Sequence, residues 1–314
     1  MSKIAFVFPG QGAQKAGMAA DFIGEGKSGA HFREEADERL GFGLGTLMIE
    51  GPQEELTLTY NAQPALLTAG AAIDAALKSA GIRPDYAAGH SLGEYTALVS
   101  AGVLGFGDAA QTVHRRGLYM NEAVPAGEGA MAAILGLGAE ELGRVTENIT
   151  ESGDPVQPAN LNCPGQIAIS GSKRGVERAC EAAKEAGAKR AIPLDVSGPF
   201  HSSLMKPASS KLREQLDSVI FKQPDYPVVS NVTARPEHDP AKMKELLVEQ
   251  LYSPVRWEES VREMIQNGVT LFIECGPGGV LAGLIRKIDR SVTVLRVEDA
   301  ESLDKAVEAA KGWS

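Results

Sequence analysis

The sequence predicts an α/β protein: a large α/β-hydrolase-like domain with a short parallel sheet, carrying a small inserted ferredoxin-like domain. Apolar runs alternate with helix-like stretches on both sides of the insert, which is typical of a parallel sheet with crossover helices. Between these parts, residues 128–196 follow the order β-α-β-β-α-β, the ferredoxin-like arrangement. We therefore assign residues 1–127 and 197–314 to the large domain and residues 128–196 to the insert.

The first elements of the large domain are delimited by glycine and proline. Lys3–Phe8 is a short apolar run, and the turn at residues 9–12 closes it. Residues 61–80 are rich in Ala and Leu at helical spacing. Residues 86–90 then predict a second strand, and Leu92–Ser100 predicts a second helix. Strand, helix, strand and helix in this order indicate parallel pairing of the two strands.

The insert and the C-terminal part contain further apolar runs with strand-like or helix-like patterns. Within the insert, predicted strands cover residues 130–137, 156–161, 166–170 and 189–194, and predicted helices cover Ala139–Glu151 and residues 173–186. C-terminal to the insert, we expect strands at residues 228–231 and 270–274, and an edge strand at residues 292–297.

Composition and charge disfavour several classes of partner. Aromatic residues make up only 5% of the chain, which disfavours a surface that stacks nucleic-acid bases. The formal net charge of −10 disfavours binding to nucleic-acid phosphates or to an anionic membrane surface. No apolar window approaches the roughly 20 residues of a membrane-spanning helix, and the first apolar run is too short for a signal peptide. The three cysteines, Cys163, Cys180 and Cys275, suit neither a disulfide framework nor a zinc site. We expect a cytoplasmic monomer without nucleic-acid or membrane partners, and without a metal or cofactor.

A G-x-S-x-G pattern lies between the second predicted strand and the helix after it. It reads Gly89-His90-Ser91-Leu92-Gly93, and its glycines suit a turn too sharp for larger side chains. The hydroxyl of Ser91 would project from a helix N-terminus, where the dipole and free N–H groups favour developing negative charge. The alternative is a glycine-rich turn with an N-capping serine. The strand before it and the helix after it favour catalysis.

A nucleophilic serine needs a base, and the chain offers His31, His90, His114, His201 and His238. His201 follows glycine and proline in a loop, the kind of segment where function concentrates. His90 adjoins the nucleophile but would point away from the serine side of the turn. The other three lie on predicted helices or in polar stretches. His201 is therefore the candidate base, and a structural polar histidine is the alternative.

Further motifs occur in a fixed order along nearly the whole chain. They are FPGQG at residues 8–12, NAQPA at 61–65, the stretch 111–117 with Arg115-Arg116, NLNCPGQ at 160–166, GPFHS at 198–202, EQLYSPVRW at 249–257 and ECGPG at 274–278. With GHSLGE at residues 89–94, this ordered set resembles the malonyl-CoA:acyl carrier protein transacylases of bacterial type II fatty acid synthesis. Cys163 stands where that family would have a serine. The family is known to carry the ferredoxin-like insert, which agrees with the order of predicted elements.

The resemblance implies catalysis through a serine ester. Ser91 would be the nucleophile, and His201 would take its proton and later give it to the leaving thiol. The family uses a dyad in which a main-chain carbonyl orients the imidazole, and the matching position is Gln250. A triad would instead need an acid, and Asp195 is the nearest one before His201. The resemblance favours the carbonyl.

The resemblance also implies which residues bind the substrate. The backbone N–H groups of Gln11 and Leu92 would form the oxyanion hole, although tight loops alone would also demand the glycines around them. Arg116, in preference to Arg115, would clamp the malonyl carboxylate and reject uncharged acetyl groups, with a surface charge on a helix as the alternative. Phe200 would crowd the α-methyl of methylmalonyl, with a core phenylalanine as the alternative. Polar pocket-lining amides would be Gln63, Asn160, Asn162 and Gln166, with ordinary loop residues as the alternative.

The implied activity is transfer of malonyl from malonyl-CoA to the phosphopantetheine thiol of acyl carrier protein, with ping-pong kinetics, for fatty acid synthesis. The alternatives are a serine thioesterase or esterase, a non-catalytic carrier-protein or acyl-chain binding module, and an acyltransferase of a polyketide pathway. Docking of an acidic carrier protein needs a local basic patch. Lys189-Arg190 and Arg286-Lys287 are candidates for it, with ordinary solvated surface charges as the alternative, and we assign no docking residues.

Overall fold

A computed structural model of the chain describes residues 2–313. Residues 1 and 314, the outer bounds of the predicted large domain, lie outside the described residues. The described chain forms two β-sheets with helices packed around them. Its strands are β1 (Lys3–Phe8), β2 (Tyr86–Gly89), β3 (Gly129–Leu135), β4 (Val156–Cys163), β5 (Gln166–Ser172), β6 (Arg190–Pro193), β7 (Val228–Val229), β8 (Pro236–Glu237), β9 (Val269–Cys275) and β10 (Thr293–Val297). Its α-helices are α1 (Ala20–Ile23), α2 (Ala30–Leu40), α3 (Leu44–Glu50), α4 (Gln53–Thr57), α5 (Thr59–Ser79), α6 (Leu92–Ser100), α7 (Phe106–Glu122), α8 (Ala139–Glu151), α9 (Lys173–Glu185), α10 (Lys206–Asp217), α11 (Pro240–Gln250), α12 (Trp257–Gln266), α13 (Val280–Ile288) and α14 (Ala300–Ala310).

The larger sheet has the strand order β10-β9-β1-β2-β7-β8 and is mixed. Its first five strands pair in parallel, while the short edge strand β8 is antiparallel to β7. β1 lies in the middle, and its last five residues are buried, as the apolar run of its sequence predicts. In the register of β1 with β2, Phe8 lies beside Gly89. The two glycine-rich turns that follow these strands therefore meet at the carboxyl edge of the sheet.

The smaller sheet is antiparallel throughout, with the strand order β4-β5-β3-β6. Helices α8 and α9 cover one face of it, and residues such as Ile134, Ile169 and Val176 form a separate core between them. The edge strand β4 also contacts the larger part of the chain. The N–H of Leu161 donates to the carbonyl of Val255 at 2.9 Å, and the N–H of Val255 donates to the carbonyl of Ala159 at 2.8 Å. These bonds hold the smaller sheet against the segment before α12.

Most predicted elements coincide with observed ones to within a few residues, and three coincide fully: Lys3–Phe8, Leu92–Ser100 and Ala139–Glu151. The strand predicted at residues 228–231 is too long, because the chain leaves the sheet after Val229. Ser230 and Asn231 instead enter a turn at the carboxyl edge. None of the helices within residues 2–313 has the length and apolar character needed to cross a bilayer.

Candidate active site

The backbone turns sharply where β2 meets α6. Ser91 lies between them with φ 52° and ψ −106°, a conformation that L-residues rarely adopt. A side chain on Gly89 would put its Cβ 1.8 Å from the Gly93 carbonyl carbon, and one on Gly93 would put its Cβ 2.0 Å from the Phe8 oxygen. Both glycines are thus required by backbone contact. The turn they permit places the Ser91 side chain at the N-terminus of α6.

A serine, a histidine and a backbone carbonyl form a hydrogen-bonded chain. The Ser91 Oγ lies 2.7 Å from Nε2 of His201, and Nδ1 of His201 lies 2.8 Å from the carbonyl oxygen of Gln250. A carbonyl oxygen can only accept, so Nδ1 must carry the ring proton. Nε2 is then unprotonated and accepts the hydrogen of the Ser91 hydroxyl. This tautomer is the one that a general base requires.

The electrostatic surroundings keep His201 uncharged. Its side chain is buried, and burial, followed by the positive charge of Arg116, lowers its pKa from 6.5 to about 3. The Gln250 carbonyl acts in the opposite direction, because it accepts a hydrogen bond from the imidazolium. The imidazole is therefore free to take a proton at neutral pH.

A glutamine from the smaller sheet holds the histidine loop. Nε2 of Gln157, on β4, donates to the carbonyl oxygens of His201 at 3.2 Å and of Tyr252 at 3.3 Å. Its Oε1 accepts from the N–H of Ser203 at 2.9 Å. His201 itself has a positive φ of 58°. Gln157 of the smaller sheet thus holds the loop in the conformation that places the His201 imidazole beside Ser91.

Arg116, on α7, carries a buried positive charge next to the serine. Nη2 donates to Ser91 Oγ at 3.1 Å and to Gln250 Oε1 at 2.9 Å, and Nη1 donates to Gln63 Oε1 at 2.6 Å. These acceptors are all neutral, and the guanidinium also lies 5.5 Å from the centre of the Tyr95 ring. Burial lowers the pKa of Arg116, but arginine remains charged in proteins. Within residues 2–313 its Nε has no hydrogen-bond partner.

Two adjoining cavities open onto this group of side chains. The first, of about 250 Å³, is lined by Ser91, His201, Arg116 and Phe200 among others. The second, of about 300 Å³, extends away between β4, β5 and α13. Residues that line both cavities are Gln11, Gly12, His90, Asn160 and Leu194. We refer to the two adjoining cavities together as the route to the serine.

Two backbone N–H groups belong to residues that line the first cavity, one in the turn after β1 and one in the turn after β2. Gln11 and Leu92 both line it beside Ser91. Among residues 2–313, neither of these N–H groups donates a hydrogen bond to a protein acceptor. The arrangement suits an oxyanion on a carbonyl attacked by Ser91.

Comparison with known proteins gives the family. A family model described as the acyl transferase domain matches residues 5–307. This chain belongs to the acyl transferase family. It is 58% identical over 311 residues to the malonyl CoA-acyl carrier protein transacylase of Bacillus subtilis. The aligned region covers 99% of this chain and 98% of that relative.

Solved structures agree with this acyl transferase assignment. An acyl carrier protein S-malonyltransferase from Vibrio cholerae superimposes with a TM-score of 0.94 at 47% identity, covering 97% of this chain and 100% of that one. A malonyl-transacylase solved in complex with a type II PKS acyl-carrier protein has a TM-score of 0.94 at 46% identity, covering 98% and 100%. The family resemblance predicted from the ordered motifs is confirmed.

The polar amides predicted in this acyl transferase have different surroundings. Gln63 lines the first cavity but binds Arg116. Asn160 lines both cavities. Asn162 and Gln166 line the second, where Asn162 Oδ1 accepts from His90 Nε2 at 2.8 Å and Gln166 Oε1 accepts from a lysine. All four thus line the route, and Gln63 also supports the arginine.

Asp195, the acid considered for a triad, lines the first cavity. It makes no hydrogen bond to His201 within the described residues, because Nδ1 of that ring already donates to the Gln250 carbonyl. The geometry therefore brings together Ser91, His201 and Gln250, and leaves Asp195 outside the chain of hydrogen bonds.

The sequence did not single out several residues around the serine of this acyl transferase. Asn231 accepts from the Ser91 N–H at 2.8 Å and donates to the Gly89 carbonyl at 2.7 Å, so it braces the turn. Glu94 is buried one helical turn after Ser91. The only sequence signals were positional: Asn231 follows a strand at the carboxyl edge, and Glu94 belongs to the nucleophile motif.

Proposed function

We propose that this acyl transferase moves a malonyl group from malonyl-CoA to the phosphopantetheine thiol of acyl carrier protein through an ester on Ser91. The observation that carries the proposal is the buried Arg116 guanidinium, 3.1 Å from Ser91 Oγ and bonded only to neutral acceptors. A charge in that position recognises an acyl group with a distal carboxylate. The relatives named as malonyl transacylases support the same donor and acceptor.

In the first half-reaction, the Ser91 hydroxyl gives its proton to Nε2 of His201 while Oγ attacks the thioester carbonyl. The oxyanion that forms lies by the N–H groups of Gln11 and Leu92. When the carbon–sulfur bond breaks, His201 gives the proton to the departing CoA sulfur. The products are CoA thiol and malonyl-Ser91, and the enzyme is uncharged at His201 again.

The second half-reaction uses the same groups in reverse. His201 takes the proton of the carrier-protein thiol, whose sulfur attacks the ester carbonyl. The carbon–oxygen bond to Ser91 breaks, and His201 returns the proton to Oγ. Donor and acceptor both present a phosphopantetheine thiol, so one route serves both steps and the kinetics are ping-pong.

Specificity follows from two side chains of the first cavity. A malonyl carboxylate would take hydrogen bonds from Arg116, whose Nε–H lacks an acceptor in the described chain. An acetyl group would leave that buried charge without an anionic partner. Phe200 lines the same cavity and is buried, so its ring would crowd an α-methyl group.

The second cavity is the proposed path of the phosphopantetheine arm. Asn160, Asn162 and Gln166 offer it amide hydrogen bonds. Lys287 donates to Gln166 at 3.1 Å, so a positive charge lies at this end of the route. An acidic carrier protein would meet that charge first.

Organisation and setting complete the proposal. We assign residues 128–196 to a ferredoxin-like insert in an α/β-hydrolase-like domain formed by residues 1–127 and 197–314; the antiparallel order β4-β5-β3-β6 and the separate core support it. We expect a cytoplasmic monomer that supplies fatty acid synthesis. Supply of a polyketide pathway is the second candidate, because one relative is a malonyl-transacylase bound to a type II PKS acyl-carrier protein.

The test is transfer with and without an acceptor. The purified chain is mixed with malonyl-CoA, with holo-acyl carrier protein present or omitted, and malonyl-carrier protein and free malonate are quantified. We expect malonyl-carrier protein as the main product, slow malonate release without acceptor, and parallel double-reciprocal lines. Malonate release that is unaffected by carrier protein would identify a thioesterase instead.

A further inference from the structure

A buried glutamate lies behind the arginine, with one glutamine side chain between them. Glu94 is on the first turn of α6, and its side chain is almost fully buried. Gln250 Nε2 donates to Glu94 Oε2 at 2.7 Å, while Gln250 Oε1 accepts from Arg116 Nη2 at 2.9 Å. The carboxylate and the guanidinium are therefore linked through the two ends of one amide.

The orientation of this amide is determined by its neighbours. Nε2 of Gln250 faces three acceptors: Glu94 Oε2, the Ser91 carbonyl at 3.0 Å and Asn231 Oδ1 at 3.2 Å. Asn231 is itself fixed, since its Oδ1 accepts from the Ser91 N–H and its Nδ2 donates to a carbonyl. If the Gln250 amide were flipped, its oxygen would face other acceptors and its NH₂ group would face the N–H donors of Arg116. Neither pairing can form a hydrogen bond, so the observed orientation is favoured.

We propose that Glu94 is a positioning residue for substrate recognition: its carboxylate holds the Gln250 amide so that Oε1 faces Arg116 and aims the guanidinium at the acyl group on Ser91. The proposal rests on the proposed malonyl transfer. Glu94 Oε2 also accepts from the N–H of Asn231 at 3.1 Å, so a glutamine at position 94 would keep an oxygen there but lose the negative charge. The shortest of the three Nε2 contacts, at 2.7 Å, would then change from a charge-assisted hydrogen bond to a weaker neutral one, and the hold on the Gln250 amide would loosen.

The protonation of Glu94 gives a signature that packing alone would not produce. Burial raises the pKa of Glu94 to about 7. This effect outweighs the hydrogen bonds from the Asn231 N–H and the Gln250 amide and the positive charge of Arg116, which all lower the pKa. Arg116 on α7 is the charged group that faces it, and Tyr95 beside it on α6 is the titratable neighbour. Protonation turns one carboxylate oxygen into a donor, so acidification should loosen the hold on Gln250.

The experiment compares Glu94→Gln with Glu274→Gln. Glu274 is also a fully buried glutamate, but its carboxylate accepts from the N–H groups of Leu281 and Ala282 at the start of α13. Burial raises the pKa of Glu274 as well. It therefore matches Glu94 in chemistry and burial without a link to Arg116.

For Glu94→Gln we expect the KM for malonyl-CoA to rise by about tenfold or more while kcat stays within about threefold, because the lost orientation acts on binding of the carboxylate. Acetyl transfer should change less than malonyl transfer. In the wild type the malonyl-CoA KM should rise as pH falls below about 7, and in Glu94→Gln this dependence should disappear. Glu274→Gln should keep the wild-type KM and its pH dependence.

A second variant tests the proposal if Glu94→Gln does not fold. Gln250→Leu removes the side-chain link but keeps the backbone carbonyl that binds His201, and should show the same malonyl-specific rise in KM. Equal losses of malonyl and acetyl transfer in these variants, with an unchanged pH profile of KM, would overturn the proposal. Absence of malonyl transfer in the wild-type protein would instead overturn the proposed function.

Discussion

Nη2 of Arg116 lies 3.1 Å from Oγ of Ser91, so the buried cation and the hydroxyl of the candidate dyad are direct hydrogen-bond partners. An acyl group esterified at Oγ must extend past this guanidinium. In a malonyl group the free carboxylate is separated from the ester carbon by a single CH₂, which keeps it within reach of the same fork. Under the proposed function, the size and the charge of the acyl group would both be recognised next to the Ser91 Oγ that reacts.

Removal of the guanidinium should change which acyl group is transferred. We expect Arg116→Ala to lower kcat/KM for malonyl-CoA by about 10²–10³-fold and to raise acetyl transfer relative to malonyl transfer, since a charge-assisted pair is lost. The measurement is carrier-protein acylation with each thioester. Arg115→Ala is the matched control, because this neighbouring arginine is exposed. Unchanged malonyl preference in Arg116→Ala would rule out the clamp.

Replacement of Asp195, the acid nearest to His201 on its N-terminal side, should have little effect on acyl transfer. Nδ1 of His201 donates to the Gln250 carbonyl, so Asp195→Asn should keep kcat within about threefold of wild type. Loss of a true triad aspartate costs about 10⁴ in kcat. Steady-state transfer together with a thermal melt distinguishes these outcomes. A loss of that size with an intact fold would show that Asp195, and not the carbonyl, supports the base.

The histidine should remain a base in mildly acidic solution. Burial and the charge of Arg116 lower the pKa of His201 to about 3, so the folded protein keeps the ring neutral well below the ordinary 6.5. Acylation by an uncharged ester such as p-nitrophenyl acetate should therefore stay nearly constant from pH 7 down to about 5. An acid limb with its midpoint near the ordinary histidine pKa would contradict this. The uncharged ester avoids the separate effect expected at Glu94.

The lowered pKa of His201 also determines how the stability of the folded protein changes with pH. In the unfolded chain His201 binds a proton as pH falls through its ordinary pKa, whereas in the folded chain it does so only near the lowered value. Its contribution to the free energy of unfolding is thus present above pH 6.5 and lost progressively as pH falls from 6.5 towards 3.

The glycines of the turn should tolerate no side chain. A Cβ at position 93 would lie 2.0 Å from the Phe8 oxygen, and Gly93→Ala should lower the free energy of unfolding by more than about 3 kcal/mol or prevent folding. Gly143→Ala is the control: it lies within α8 with nothing within 4 Å of its Cβ, and should stabilise by roughly 0.5–1 kcal/mol. Denaturant unfolding of both variants measures the difference. A Gly93→Ala protein as stable as wild type would contradict the packing described for the turn.

Much of the fold was predictable because its element boundaries carry local signals. Lys3–Phe8 ends at proline and glycine, and Ala139–Glu151 follows a glycine and shows a clear apolar stripe. A charged helical stretch was expected around His31, but the bounds Ala30–Leu40 were not predicted, because the sequence is mostly charged and Ala36 is its one fully buried residue. Such a helix depends on packing against its neighbours, chiefly α3 and α7, which a local pattern does not encode.

The site was predictable where a residue type has a distinctive chemical role. Ser91, His201 and Arg116 could be chosen from a motif, a short set of histidines and a family resemblance. The side-chain contacts of Gln250 with Glu94 and Asn231 could not, because they join residues far apart in sequence. An amide or a buried carboxylate finds its partners only once the sheet and its turns have formed.

In the proposed reaction, the Oγ atom of Ser91 carries the acyl group and His201 makes this atom reactive. Intact mass spectrometry after brief mixing with malonyl-CoA, followed by peptide mapping, tests it most directly. We predict one malonyl adduct per chain, located on the peptide containing Ser91, absent in Ser91→Ala and formed far more slowly in His201→Ala. A malonyl adduct that persists in Ser91→Ala, or that maps to another residue, would contradict the account.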